Sequence, residues 1–132
     1  MVKIWCALLF GTLCAFAQAP KSENVLMIAG RMWETMPETT KLAYVHGIKD
    51  GLTIAALSLP AELREAVIDY TQAKGFNTGD YVKELDQLFA HRENLNIVVP
   101  LAYHYITAKL KGTSTAQELE QRLIELRKAM AK

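Results

Sequence analysis

His46 and Asp50 stand four residues apart in the segment YVHGIKDGL, which opens at Tyr44. If that segment is helical, both side chains lie on one face, and a carboxylate then holds an imidazole. Catalytic general bases and the outer shells of metal sites use that pairing. It is also a common surface hydrogen bond, and the sequence lacks the companions that catalysis needs. No G-x-S-x-G nucleophile turn occurs. His91 and His104 share no ligand spacing with His46, so no metal and no cofactor are expected. There is no D-x-D-x-D-G calcium loop, and no glycine pair is followed by the Lys-Ser/Thr of a phosphate loop. The residues therefore favour a binding module, with a small enzyme or metal protein centred on His46/Asp50, or a structural envelope-associated protein, as the alternative.

Two further features carry binding chemistry. Gly47 and Gly51 repeat at the same four-residue interval as the His–Asp pair. A glycine inside a helix costs about 1 kcal/mol relative to alanine, so something should need the space. Either a neighbouring helix or an external partner approaches closely there, and internal packing is expected for at least one of the two. Asn94 lies in the polar connector from His91 to Asn96, where a short amide side chain can organise a turn by bonding backbone groups. The candidate binding residues are thus Tyr44, His46, Gly47, Asp50, Gly51 and Asn94, with no catalytic and no metal residue among them.

The elements that must position these residues read as all-α. Apolar residues at Val25, Leu26 and Ile28 suggest a short helix and then a turn at Gly30, with Trp33 at the edge of the core. A long helix is expected from Pro37 to about Leu57, carried by Leu42, Val45, Ile48, Leu52 and Ala55 at helical spacing. Pro60 opens a segment with Leu63, Val67 and Tyr70 on one face and Gly75 as its stop. Thr78 caps the next helix, whose stripe is Tyr81 or Val82, Leu85, Leu88 and Phe89. The run IVVPLAYHYITAKLKG starts a helix near Ile97 or Val98 and ends at Gly112; its β-branched start has no visible strand partner. Thr115 and Glu118 have capping-box spacing before Leu119, Leu123, Leu126 and Met130. The expectation is a single small domain of five to six helices over 18–132.

The first residues read differently. Lys3 precedes an apolar run from Ile4 to Ala15, and small-x-small sites follow at Ala15–Ala17 and Ala17–Ala19. That order is a signal peptide, residues 1–17, cleaved after Ala17 or Ala19, which leaves no transmembrane anchor. Both cysteines, Cys6 and Cys14, would leave with it, so the exported domain relies on helix packing without disulfides. No Asn-x-Ser/Thr acceptor is present, which points to the bacterial periplasm. From residue 18 onward the charges balance at 14 positive and 14 negative. That balance argues against nucleic-acid binding, which needs excess positive charge.

Two stretches carry a resemblance. Trp33, Lys41-Leu42-Ala43-Tyr44-Val45, Gly47-Ile48 and Asp50-Gly51 resemble the opening of a class of small uncharacterised bacterial exported helical proteins. Leu88-Phe89, Asn94, Ile97, Val99 and Ala102, running on to Gly112, resemble their second half. The first pattern is also similar to that of the Tai-type immunity proteins, periplasmic helical proteins that block cell-wall amidase toxins of type VI secretion. The resemblance implies a helical fold and, as partner, another periplasmic protein; it supplies no catalytic residue.

Overall fold

The computed structural model describes residues 27–131 of the 132-residue chain. The expected signal peptide, Cys6, Cys14, Val25 and Leu26 lie outside the described residues. Those described form an all-α fold of six α-helices: α1 (Gly30–Glu34), α2 (Glu38–Leu57), α3 (Ala61–Thr71), α4 (Thr78–Phe89), α5 (Val99–Lys111) and α6 (Ala116–Met130), with a single 3-10 turn at Arg92–Asn94. No helix among them is long and apolar enough to cross a membrane.

α4 is the centre of the fold. Its stripe Tyr81, Val82, Leu85, Leu88 and Phe89 is entirely buried, and the helix packs against α1, α2 and α5. Both members of the expected Tyr81-or-Val82 alternative therefore face the core. The helix starts one residue earlier than its composition suggests. Asn77, not Thr78, is the N-cap: its side chain accepts from the Asp80 backbone N–H while the Asp80 carboxylate accepts from the Asn77 N–H. The same reciprocal box forms between Thr115 and Glu118 at the start of α6, as expected, and those bonds hold the Glu118 carboxyl below its ordinary pKa. Gly112 ends α5 in the left-handed conformation. Gly75 also has a positive φ but does not stop α3, which ends at Thr71 with Gln72 already extended.

The entrance to the fold departs most from expectation. Gly30 begins α1 instead of turning the chain, and Trp33 is fully buried, not an edge residue. Its indole Nε1–H donates to Asp86 Oδ1 at 2.8 Å, and Lys41 Nζ reaches the same oxygen at 2.7 Å while lying 5.4 Å from the indole centroid. One carboxylate on α4 thus fastens α1 to α2. The β-branched start of α5 does have a backbone partner, because Ala29 pairs antiparallel with Val98 in an isolated bridge. Gly30 N–H donates to the Ile97 carbonyl at 3.1 Å, and Val99 N–H donates to that of Ile28 at 2.7 Å.

α3 is the least anchored element, with no buried residue. Leu63 and Tyr70, expected on its core face, are exposed; Val67 and Ile68 are half-buried. Polar ties hold it: Tyr70 Oη lies 3.1 Å from His104 Nε2, and the Lys111 ammonium meets Asp69 at 3.3 Å, which lowers the pKa of that carboxyl.

Under α2, the Tyr81 and Tyr103 rings stack at 4.6 Å. Tyr81 Oη accepts from Ala73 N–H at 2.9 Å, whereas buried Tyr103 Oη has no hydrogen-bond partner among the described residues. Burial, then the adjacent Tyr81 phenol, pushes the Tyr103 pKa far up. A raised folded-state value means a contribution fully present below the unfolded value of about 10 and lost as pH rises through the folded one. Tyr103→Phe should therefore keep or raise the urea midpoint at neutral pH, since an unpaired buried hydroxyl costs about 1–3 kcal/mol, and should lose less stability above pH ~10. A lower neutral midpoint would show that the hydroxyl is bonded.

Candidate functional site

The helical period of α2 sorts its residues into two faces. Val45 and Ala56 are buried, and Leu42, Ile48 and Leu52 pack on the core cluster. Ala55, expected to face inward, is exposed, and Ala56 takes the buried place. The opposite side carries Ala43, His46, Gly47, Asp50, Gly51, Ile54 and Leu57, all exposed. Ile54 keeps 64% of its surface and Leu57 54%.

Here the expectation of internal glycine packing fails. A Cβ built on Gly47 or on Gly51 meets nothing within 4 Å. Both glycines point away from the helices that pack on α2, so neither makes room for anything within the described chain. The glycine that does make room is Gly30, whose added Cβ would sit 2.7 Å from Phe89 Cε1 and 3.0 Å from Leu95 Cα.

His46 Nε2 lies 3.5 Å from Asp50 Oδ2, and the side chains are 68% and 62% exposed. The pair forms as the spacing implies. Water surrounds it, so the low-dielectric enclosure that tunes a catalytic acid or base is missing. His91 and His104 lie elsewhere, on the chain after α4 and on α5, and among the described residues no three His, Cys, Asp or Glu side chains converge on a metal-sized space.

Tyr44 and Asn94 do not join this face. Tyr44 is half-buried against the core, and that burial raises its pKa. Asn94 is buried at the junction of α4, the 3-10 turn and α6. Its Nδ2–H donates to the Leu88 carbonyl at 2.7 Å, and its Oδ1 accepts from Arg127 Nε at 2.8 Å. Asn94 thus organises the turn as expected and also holds the last helix. Compared with known protein families, curated proteins and solved structures, the chain matches none.

Beside Asn94 opens a groove of about 410 Å³ between α4, α5 and α6, lined by Glu84, Glu93, Tyr105, Lys109, Glu120 and Arg127. No local pattern announces it, because its lining comes from elements far apart in the chain. Its cations are already matched. Lys109 pairs with Glu84, and Arg127 lies 3.4 Å from Glu93 and 3.8 Å from Glu120. A charged ligand would have to break these pairs, so the groove is a weaker candidate than the outer face of α2.

Proposed function

We propose that this chain is a periplasmic protein-binding module, inhibitory in the manner of an immunity protein, that receives a partner protein on the outer face of α2. The observation that carries the reading is the empty space over Gly47 and Gly51. Each glycine costs the helix about 1 kcal/mol relative to alanine, and no contact within the described chain offsets that cost. Exposed Ile54 and Leu57 beside them add apolar surface that a partner can bury. Export to the periplasm rests on the basic, apolar, small-residue order of residues 1–17.

Leucine is the better helix former and fits the empty space. Gly47→Leu and Gly51→Leu should therefore melt at the wild-type temperature or higher, by up to about 1 kcal/mol of added stability each. The same variants should lose the partner that the wild-type chain captures from a periplasmic extract. Melting curves establish that the variants fold, and capture then reports on binding alone. Stable variants that still retain every wild-type partner would remove the α2 face from consideration.

A further inference from the structure

Among the described residues, two buried side-chain atoms have no hydrogen-bond partner, Arg64 Nε and Tyr103 Oη. Such an atom is a cost carried by the closed structure and relieved when water reaches it. Both sit where α3 meets the rest of the chain. Arg64 belongs to α3, and its Nη2 donates to the carbonyls of Leu57 and Leu59 at 3.4 Å each, while its Nε bonds to nothing. Tyr103 lies on α5 and stacks on Tyr81, whose hydroxyl accepts from the Ala73 N–H just past the end of α3. The Tyr81 and Thr107 hydroxyls both act on the Tyr103 phenol, so the three are neighbours. From this coincidence we infer that α3 is a strap: residues 61–73 open as a unit while α4 and α5 stay folded, and opening brings water to the hydroxyls of the tyrosine pair.

Little apolar burial opposes that opening. α3 has no buried residue, and Val67 and Ile68 are only half-covered. Elements with few buried apolar contacts are where a fold opens locally, below the cost of global unfolding. Closure depends instead on polar ties. Besides the Arg64 bonds to the end of α2, Gln72 Nε2 donates to Thr53 Oγ1 at 2.8 Å, and Tyr70 meets His104. Lys111 Nζ donates to the Asp69 carbonyl at 2.5 Å as well as to its carboxylate. Ala73, 5% exposed, is the one well-buried residue of the strap, and its N–H is the bond to Tyr81. Once these ties part, the 11 residues of α3 are fewer than an isolated helix needs to persist in water. The strap therefore unravels as it lifts, and its own amides become exchangeable. The two unpartnered atoms bias the equilibrium toward this state, because water satisfies both only when α3 has left.

Residue-resolved amide hydrogen exchange of the purified chain, without denaturant, tests this. Amides from Arg64 to Gln72 should be protected at least about a hundredfold less than those in the middle of α4 and α5. The Ala73 amide should exchange with α3 and not with α4, although its acceptor is Tyr81 on α4. Tyr103→Phe removes an unpartnered hydroxyl from the closed state, so it should slow exchange throughout α3 by at least about fivefold, from a site on another helix. Lys111→Met cuts both bonds to Asp69 and should speed α3 exchange about two- to fivefold while the middle of α4 keeps its protection. That retained protection shows in the same experiment that each variant is folded. Exchange of α3 in step with α4 overturns the inference, since the helix would then leave only with the whole fold. An Ala73 amide as protected as α4 overturns it too, because the tyrosine hydroxyls would stay covered. So does α3 exchange unchanged or faster in Tyr103→Phe, or unchanged in Lys111→Met.

Discussion

Gly30→Ala and Gly47→Ala, chemically the same substitution, should move stability in opposite directions. At Gly47 the new methyl enters open space, and the helix gains up to about 1 kcal/mol. At Gly30 it would meet the Phe89 ring and the Leu95 backbone. Neither can give way easily. Phe89 is 1% exposed and packs against the Trp33 indole at a centroid distance of 6.3 Å. Leu95 is fixed where its carbonyl accepts from Arg31 N–H, beside the Gly30 N–H bond to Ile97. Overpacking of this kind costs about 1–3 kcal/mol, and the displaced backbone bonds push Gly30→Ala toward the upper end. Urea midpoints of the two variants against wild type decide the matter. Equal shifts, or a stable Gly30→Ala, would mean that the α1–α4 contact is loose.

The contrast between these glycines also shows what can be read from one sequence. Helix positions are legible where local chemistry sets them: the period of α2, the Thr115–Glu118 box, the glycine stop at Gly112. Expectation and structure part where two local signals compete or where the decisive contact is distant. Asn77 and Thr78 can both cap a helix, and only Asp80, three residues after Asn77, decides between them. Gly30 resembles a turn residue because Phe89 and Leu95, which need its missing side chain, come about sixty positions later. Leu63 and Tyr70 have the spacing of a core face of α3, but that helix rests mainly on α2 and buries neither.

The candidate site divides along the same line. His46, Gly47, Asp50 and Gly51 share a face because helical spacing alone puts them there. That the face looks outward depends on which side of α2 the other helices occupy. The core residues Val45, Ile48 and Leu52 mark the opposite side, so the outward direction is available from the period. The helical cost of glycine says only that space is kept open, whereas this period says on which side. Arg127 is beyond reach, since nothing local links it to a residue 33 positions earlier.

Asn94 and Arg127 should prove to be a coupled pair, with Asn94 the costlier residue to lose. Asn94→Ala removes the donor that satisfies the Leu88 carbonyl and the acceptor that holds Arg127 Nε. A buried polar group left unpaired costs about 1–3 kcal/mol, so two such losses in a site that is 1% exposed should total about 2–4 kcal/mol. Arg127→Met should cost less. Its side chain is 27% exposed, and its ion pairs to Glu93 and Glu120 lie in solvent, where such pairs contribute about 0–1 kcal/mol. The variant also leaves the Asn94 bond to Leu88 intact and retains much of the aliphatic packing. In the double variant the Arg127 part of the Asn94 penalty is already gone, so the two effects should fall short of additivity by about 1 kcal/mol or more. Asn94→Asp separates the two bonds. A carboxylate can still accept from Arg127 but cannot donate to Leu88, and its stability should fall between wild type and Asn94→Ala. Denaturation midpoints for the four chains of the cycle, with Asn94→Asp beside them, supply the numbers. Strict additivity would mean that α6 is held by its apolar face through Leu123 and not by the guanidinium–amide bond.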